Sequence, residues 1–270
     1  MLTRQRRRVA DWVITRVHRW PVLRALGKRV LGRRVIKQPF HGGVICLDAV
    51  EQSWAWTGAI RLETWDRSIQ DQLLALSHEC GRMIDIGANV GAMSLSVALR
   101  NPDITITCVE PNARACALLR QSVALNGLGD RITVLEQVAS DADGMVGFEE
   151  GGSTTGHIVA AGAVTKRSIN ATRLVDESAA LGPCLVKLDV EGYETVVLPA
   201  LARAAWRRNM RLLVELHALG FNGMGDPAAC TTLLLASGAR LSDAQGRPVT
   251  AGESFTDDLR TCQLEARWQA

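Results

Sequence analysis

The sequence predicts an α/β fold built on a mostly parallel sheet. Short apolar runs alternate with helix-length amphipathic segments between residues 83 and 216, the pattern of βαβ units. The first of these runs ends in a turn carrying Gly87 and Gly91 and leads straight into a helix. The chain has 270 residues, 47% of them hydrophobic, which is enough for the core of one large α/β domain with an extension. Collagen-like, low-complexity and wholly disordered classes are excluded by the same composition.

Taken in order, residues 9–31 read as a helix, because Val9, Trp12, Val13, Val17 and Trp20 recur at helical spacing; Pro21 breaks or restarts it. Residues 41–80 read as a connecting or lid region with three of the seven tryptophans (Trp54, Trp56, Trp65), ending in a helix over 71–80. Strands follow over 83–86, 104–109, 132–138, 185–189 and 212–216, and helices over 92–100, 112–125 and 194–205. The stretch 141–181 interrupts this rhythm. It is predicted to hold a hairpin around 145–149, a mobile Gly/Ser/Thr loop and a helix near 174–181. A loop of that size beside an α/β core is commonly functional.

The net charge of +3 averages two unlike parts. Residues 1–40 carry twelve Lys/Arg and one acid, Asp11, and sum to +11; residues 41–270 carry nineteen and twenty-seven, and sum to −8. The seven cysteines are widely spaced, with no CxxC pair, which fits neither a disulfide framework nor a zinc site. A reducing cytoplasm is the natural setting. The first apolar stretch, 9–17, is broken by Asp11 and Arg16 and does not read as a secretory signal. No run approaches the length of a membrane span.

The most informative segment is Met83-Ile84-Asp85-Ile86-Gly87-Ala88-Asn89-Val90-Gly91. Gly87 and Gly91 permit a tight turn and a close ligand approach. The spacing G-x-x-x-G is neither the G-x-G-x-x-G of dinucleotide folds nor a phosphate loop with its Lys-Ser/Thr. A pyrophosphate favours a helix N-terminus free of carboxylates, so Asp85 points to a cationic or zwitterionic ligand with an amino group. Glu110 ends the second strand, where an acid accepts hydrogen bonds from ribose hydroxyls. Together these residues describe a site for S-adenosylmethionine. The plain alternative is an ordinary strand–helix turn. After the third strand, Val138 and Ala139 are placed to sandwich an adenine ring, with Ser140 or Asp141 accepting from its amino group.

The segment 85–91, the segment Val109-Glu110-Pro111-Asn112 and above all Val186-Lys187-Leu188-Asp189-Val190-Glu191-Gly192-Tyr193-Glu194 resemble the FkbM family of S-adenosylmethionine-dependent methyltransferases, over about residues 60–220. The resemblance implies a class I methyltransferase, Rossmann-like seven-stranded sheet with helices on both faces, and O-methylation of a hydroxyl on a sugar, glycan or polyketide-type product. It implies a cofactor loop of Asp85, Gly87, Asn89 and Gly91, ribose binding by Glu110, and a further acidic contact at Glu63. The chain then divides into a basic helical arm (1–40), a Trp-rich region (41–80) and the methyltransferase domain (81–270).

Methyl transfer to an alcohol requires in-line alignment and a general base. Asp189, Glu191 and His217 are the candidates, at strand ends beside the switch point of the sheet where ligands bind. His217 is attractive for its ordinary pKa of about 6.5, and Asp189 for its position. The same three side chains are a donor set for a divalent cation, though nothing in their spacing requires a metal and none is assigned. Lys187 with Asp189 also reads as a structural ion pair, Glu194 as a complement to a helix dipole, and Tyr193 as packing where helix meets sheet. Glu215 should open onto the same crevice. The Gly/Ser/Thr loop at 150–160 and the Trp-rich segment at 54–65 are expected to shape the acceptor pocket.

Three readings of the basic arm stand side by side: a solvated helix packing its apolar stripe, a peripheral contact with a membrane surface, or a phosphate-tracking arm. Nucleic acid is disfavoured as a partner. The fourth strand ends in two carboxylates rather than the N/D-P-P-Y/F type of motif common in base methylation, and acids there repel phosphates.

Overall fold

A computed structural model describes residues 32–56, 61–149, 157–158, 164–217, 227–250 and 261–268. The strands are β1 (Val35–Phe40), β2 (Gly43–Asp48), β3 (Arg82–Ile86), β4 (Thr105–Val109), β5 (Ile132–Leu135), β6 (Val138–Ser140), β7 (Gly144–Glu149), β8 (His157–Ile158), β9 (Val164–Asn170), β10 (Cys184–Leu188), β11 (Met210–His217), β12 (Ala239–Asp243), β13 (Pro248–Val249) and β14 (Thr261–Trp268). The helices are α1 (Ser53–Trp56), α2 (Arg67–Ser77), α3 (Ala92–Ala98), α4 (Ala113–Leu125), α5 (Ala171–Ala179), α6 (Glu194–Ala202) and α7 (Pro227–Ala236).

Among the described residues the main sheet has eight strands in the order β13-β12-β14-β11-β10-β3-β4-β5. The block β5-β4-β3-β10-β11 is parallel, and β14 runs antiparallel to both β11 and β12. Parallel strands are buried on both faces, and in β3 the apolar residues serve both of them. Met83 points into one core with Leu73, Leu95 and Leu119; Ile84 and Ile86 point into the other with Val175, Leu198 and Leu234. The chain leaves β3 toward β4 on one side and later returns to β10 on the other, so the switch point lies between β3 and β10.

Several expectations need correction. The sheet has eight strands rather than seven, because the two-residue β13 extends its edge. The strand expected over 132–138 is two strands in different sheets: β5 closes the main sheet, while β6 pairs in parallel with β9 in a four-stranded sheet ordered β6-β9-β7-β8. The hairpin expected around 145–149 is present: β7 pairs antiparallel with the next strand, β8, with Phe148 opposite Ile158, and along its other edge with β9, Gly144 opposite Ser168. The division at 40/41 falls inside the β1–β2 hairpin, which docks on α4: the Val44 N–H donates to Asn126 Oδ1 at 2.8 Å and the Cys46 N–H to Ser122 Oγ at 2.9 Å. Residues 41–80 are more than a connector, since Leu62, Ile69, Leu73 and Leu76 belong to the core.

The helix expected over 9–31, the side chains of Trp54 and Trp56, and nearly all of the 150–160 loop lie outside the described residues. Six cysteines are free and buried, as expected of small hydrophobes. Among the described residues no helix is long and apolar enough to cross a membrane.

Candidate active site

A cavity of about 250 Å³ opens at the carboxyl ends of β3, β4, β10 and β11, at the switch point. The chain segments that leave these four strands carry most of the expected site residues.

After β4, Glu110 is 8% exposed and lines the cavity. Its Oε2 accepts from the Asn89 N–H and its Oε1 from the Asn112 N–H, both at 2.8 Å. Burial raises its pKa, and the two amide bonds oppose that shift. Each oxygen is fixed by one amide, which leaves further lone pairs for a hydroxyl. Asn112 then caps α4 by accepting from the Ala115 N–H at 3.0 Å.

After β3 the chain turns through Gly87 (φ +80), Asn89 (φ +50) and Gly91 (φ +83). Gly87 and Asn89 line the cavity. Each glycine is also required by its left-handed φ and by close packing. A Cβ on Gly87 would sit 1.7 Å from the Asp189 carbonyl oxygen, and one on Gly91 would sit 2.2 Å from Leu119 Cδ1.

Asp85 does not reach the cavity and is corrected as a ligand contact. It is fully buried beneath the loop, accepts from Ser94 Oγ at 2.5 Å and lies 3.4 Å from Lys187 Nζ. Lys187 ties the two central turns together. It donates to the Gly87 carbonyl at 3.0 Å and lies 3.1 Å from Asp189 Oδ2. Burial works against its charge, but Asp189 and Asp85 outweigh burial and hold its pKa well above the ordinary value.

The turns after β10 and β11 form a carboxylate-rich end. His217 Nδ1 lies 3.1 Å from Glu194 Oε1, and its Nε2 lies 3.8 Å from Asp189 Oδ1, 3.7 Å from Glu191 Oε2 and 3.8 Å from Glu215 Oε1. Glu194 is fully buried and also accepts from the Val190 and Gly192 amides at 3.0 Å. It orients the histidine and braces the turn, in addition to facing a helix dipole. Glu191 holds a left-handed φ of +52. Burial raises the pKa of both Glu191 and Glu215.

Burial disfavours a charged His217, but the Glu194 hydrogen bond and the Asp189, Glu194 and Glu191 carboxylates prevail, and its pKa is pushed up to about 9. The ring is therefore a cation at neutral pH, which removes the reason for reading it as a neutral general base. A raised folded pKa gives stability that is complete below the unfolded value near 6.5 and is lost as pH rises through about 9. In chelator-treated protein the stability should fall across that window by about 2 kcal/mol, after allowance for solvent screening. His217→Gln should flatten the slope. Thermal melts in steps from pH 6 to 9.5 check this; a wild-type midpoint that climbs with pH would contradict it.

Two further expected contacts are not in the cavity. The Glu63 carboxylate accepts from the His41 N–H at 3.1 Å, at the left-handed turn of the β1–β2 hairpin. Asp66, also left-handed and raised in pKa by burial and then by Asp189, lines the cavity in its place. Ser140 is buried against the Tyr193 hydroxyl at 3.1 Å and Asp141 Oδ1 at 3.1 Å, while Val138, Ala139 and Phe148 form the apolar wall. Asp189, Glu191, Glu215 and His217 all line the opposite end. Glu215 opens onto the cavity as expected, whereas Lys187, Asp66 and Phe148 are cavity residues that sequence reasoning did not place in the site. Lys187 and Glu215 interrupt apolar strands, which is a readable signal; Phe148 and Asp66 carry none.

Residues 68–147 match the methyltransferase small domain family. With the parallel strand order and the switch-point cavity, this decides the architecture. The fold is that of a class I methyltransferase. The chain is 31% identical over 80 residues to a ribosomal RNA small subunit methyltransferase G of Frankia alni, covering 29% of this chain and 30% of that one. It is 27% identical over 203 residues to the hexuronic acid methyltransferase AglP of Haloferax volcanii, covering 73% of this chain and 76% of that one. The chain spans between 23% and 33% of the length of the first curated relatives it matches. Among solved structures it is similar to the putative transferase PH0793 of Pyrococcus horikoshii, with a TM-score of 0.48 and 10% identity, over 94% of this chain and 86% of that one.

Proposed function

We propose that the chain is an S-adenosylmethionine-dependent O-methyltransferase of FkbM type, acting on a hydroxyl of a sugar, glycan or related small molecule. The observation that carries this reading is Glu110, whose two oxygens are pinned by backbone amides and face the cavity. The cofactor fits the donor set. Glu110 would take the ribose hydroxyls, Val138, Ala139 and Phe148 would flank the adenine, and the carboxylate-rich end suits a sulfonium and an amino group. S-adenosylmethionine supplies, when bound, a methyl group on a positively charged sulfur.

The chain's own residues supply the rest. Lys187 fixes the Gly87 and Asp189 turns against each other, which sets the width of the cavity. Asp189 is engaged by Lys187, and His217 is already protonated. Glu215, raised in pKa by burial, is the better proton acceptor and is assigned as the general base. It takes the acceptor's hydroxyl proton as that oxygen attacks. Glu215→Gln is expected to lower methyl transfer roughly 10²–10⁴-fold while leaving S-adenosylmethionine affinity within a few-fold. Single-turnover transfer of a labelled methyl group, beside calorimetry, checks both halves.

The similarity to AglP runs over 203 residues and most of both chains, whereas ribosomal RNA methyltransferases match this chain over stretches of 60 to 118 residues, up to 43% of it. Asp189, Glu191 and Glu215 at the acceptor end also oppose a phosphate backbone. Labelled cofactor should be offered to cell extract divided into lipid-linked, polysaccharide and RNA pools. Label in a sugar-bearing pool is expected; label confined to RNA would overturn the assignment of acceptor.

A further inference from the structure

We propose that Asp189, Glu191 and His217 form a divalent-cation site at the acceptor end of the cavity. The inference rests on the methyl-transfer reading of the cavity and names what presents the acceptor to it.

One ligand atom from each of the three residues can be chosen so that all lie within 4.8 Å of one another. Asp189 and Glu191 come from the turn after β10, and His217 from the end of the neighbouring β11, so two parallel strands set the spacing. The contacts of Nε2 with Asp189 and Glu191, at 3.8 and 3.7 Å, are too long for hydrogen bonds. They are close to the spacing of atoms that share an ion. Ligands about 2.0–2.2 Å from one metal stand roughly 3–3.5 Å apart, so the two contacts to Nε2 close by a few tenths of an ångström, and the two carboxylates, within 4.8 Å of one another, by side-chain rotation of about an ångström.

The second observation is Glu194. It is fully buried, its position is fixed by two backbone amides, and it holds the Nδ1 side of the ring. A carboxylate on the far nitrogen is the usual partner of a metal-ligating histidine, because it selects the tautomer that leaves Nε2 free to bind. On binding, His217 gives its Nε2 proton to solvent and keeps the Nδ1 proton on Glu194.

Two oxygens and one imidazole nitrogen suit a hard to borderline cation such as Mn²⁺ or Mg²⁺. The remaining positions on such an ion would be filled by acceptor oxygens. The acceptor class is therefore one that chelates: a vicinal diol or a hydroxy acid of a sugar. The ion would lower the pKa of the bound hydroxyl, and Glu215, outside the ligand set, stays available for its proton.

The test uses the full chain, freed of metal by chelator, with Mn²⁺ as probe and its free electron paramagnetic signal as readout. One Mn²⁺ per chain is expected, with affinity falling at least tenfold in Glu191→Gln and again in Asp189→Asn. Both variants should keep the wild-type circular dichroism spectrum; if either does not, His217→Gln reads the same loss. A wild-type chain that binds S-adenosylmethionine in calorimetry but takes up no Mn²⁺ at millimolar concentration would overturn the cation site. So would uptake that survives all three substitutions. Mn²⁺ uptake lost in the variants, by a chain that binds no S-adenosylmethionine, would uphold the cation site and sink the methyl-transfer reading instead.

Discussion

Gly87→Ala is expected to lower the thermal midpoint by roughly 10 °C and to abolish cofactor binding. Two effects add. Alanine resists the left-handed φ of +80, which costs about 1–2 kcal/mol. Its Cβ would also sit 1.7 Å from the Asp189 backbone oxygen, and that oxygen is poorly placed to yield. The Asp189 N–H is bonded to the Ile86 carbonyl at 3.1 Å, and Lys187 braces both turns. Forced overpacking adds about 1–3 kcal/mol. Gly127→Ala is the calibrating control: its φ is +64 but nothing lies within 4 Å of the added carbon, so only the conformational part should appear. Melting curves of the two variants measure the difference. Equal small losses would show that the two central turns are not held as tightly as described.

Glu110→Gln should weaken S-adenosylmethionine binding by about 100-fold, equivalent to about 3 kcal/mol, and should also lower the melt, because one buried backbone amide loses its acceptor. The two side chains have the same shape, so packing is kept. The amide nitrogen of glutamine would meet either the Asn89 or the Asn112 N–H, donor against donor, where an oxygen now accepts at 2.8 Å. One ribose hydroxyl would also lose a charged acceptor. Calorimetry of the variant checks this, and affinity within a few-fold of wild type would remove Glu110 from the cofactor site.

The sheet's parallel half was legible because β3, β4, β10 and β11 are largely buried and read as short, predominantly apolar runs. The strands of the second sheet were harder. β7 and β9 mix polar and apolar residues at a half-exposed surface, β6 is only three residues long, and the pairing of Gly144 with Ser168 across the intervening chain leaves no local trace. The site was legible where a residue type and a strand end coincide, as at Glu110, Asp189 and His217. It was not legible where function passes through another side chain. Asp85 reads as a ligand contact from its motif, yet Lys187 and Ser94 occupy its carboxylate. Glu194 reads as a helix-start acid, yet it orients His217. Glu63 and Asp66 are three residues apart, and only the left-handed turn at Asp66 decides which of them faces the cavity.

The most direct measurement is a crystal structure of the full chain with S-adenosylhomocysteine. The expected result places the two ribose hydroxyls within hydrogen-bond distance of Glu110, the adenine against Val138, Ala139 and Phe148, and the sulfur toward Asp189 and Glu215. Ligand density elsewhere on the chain, with Glu110 bound only to the Asn89 and Asn112 amides, would contradict it.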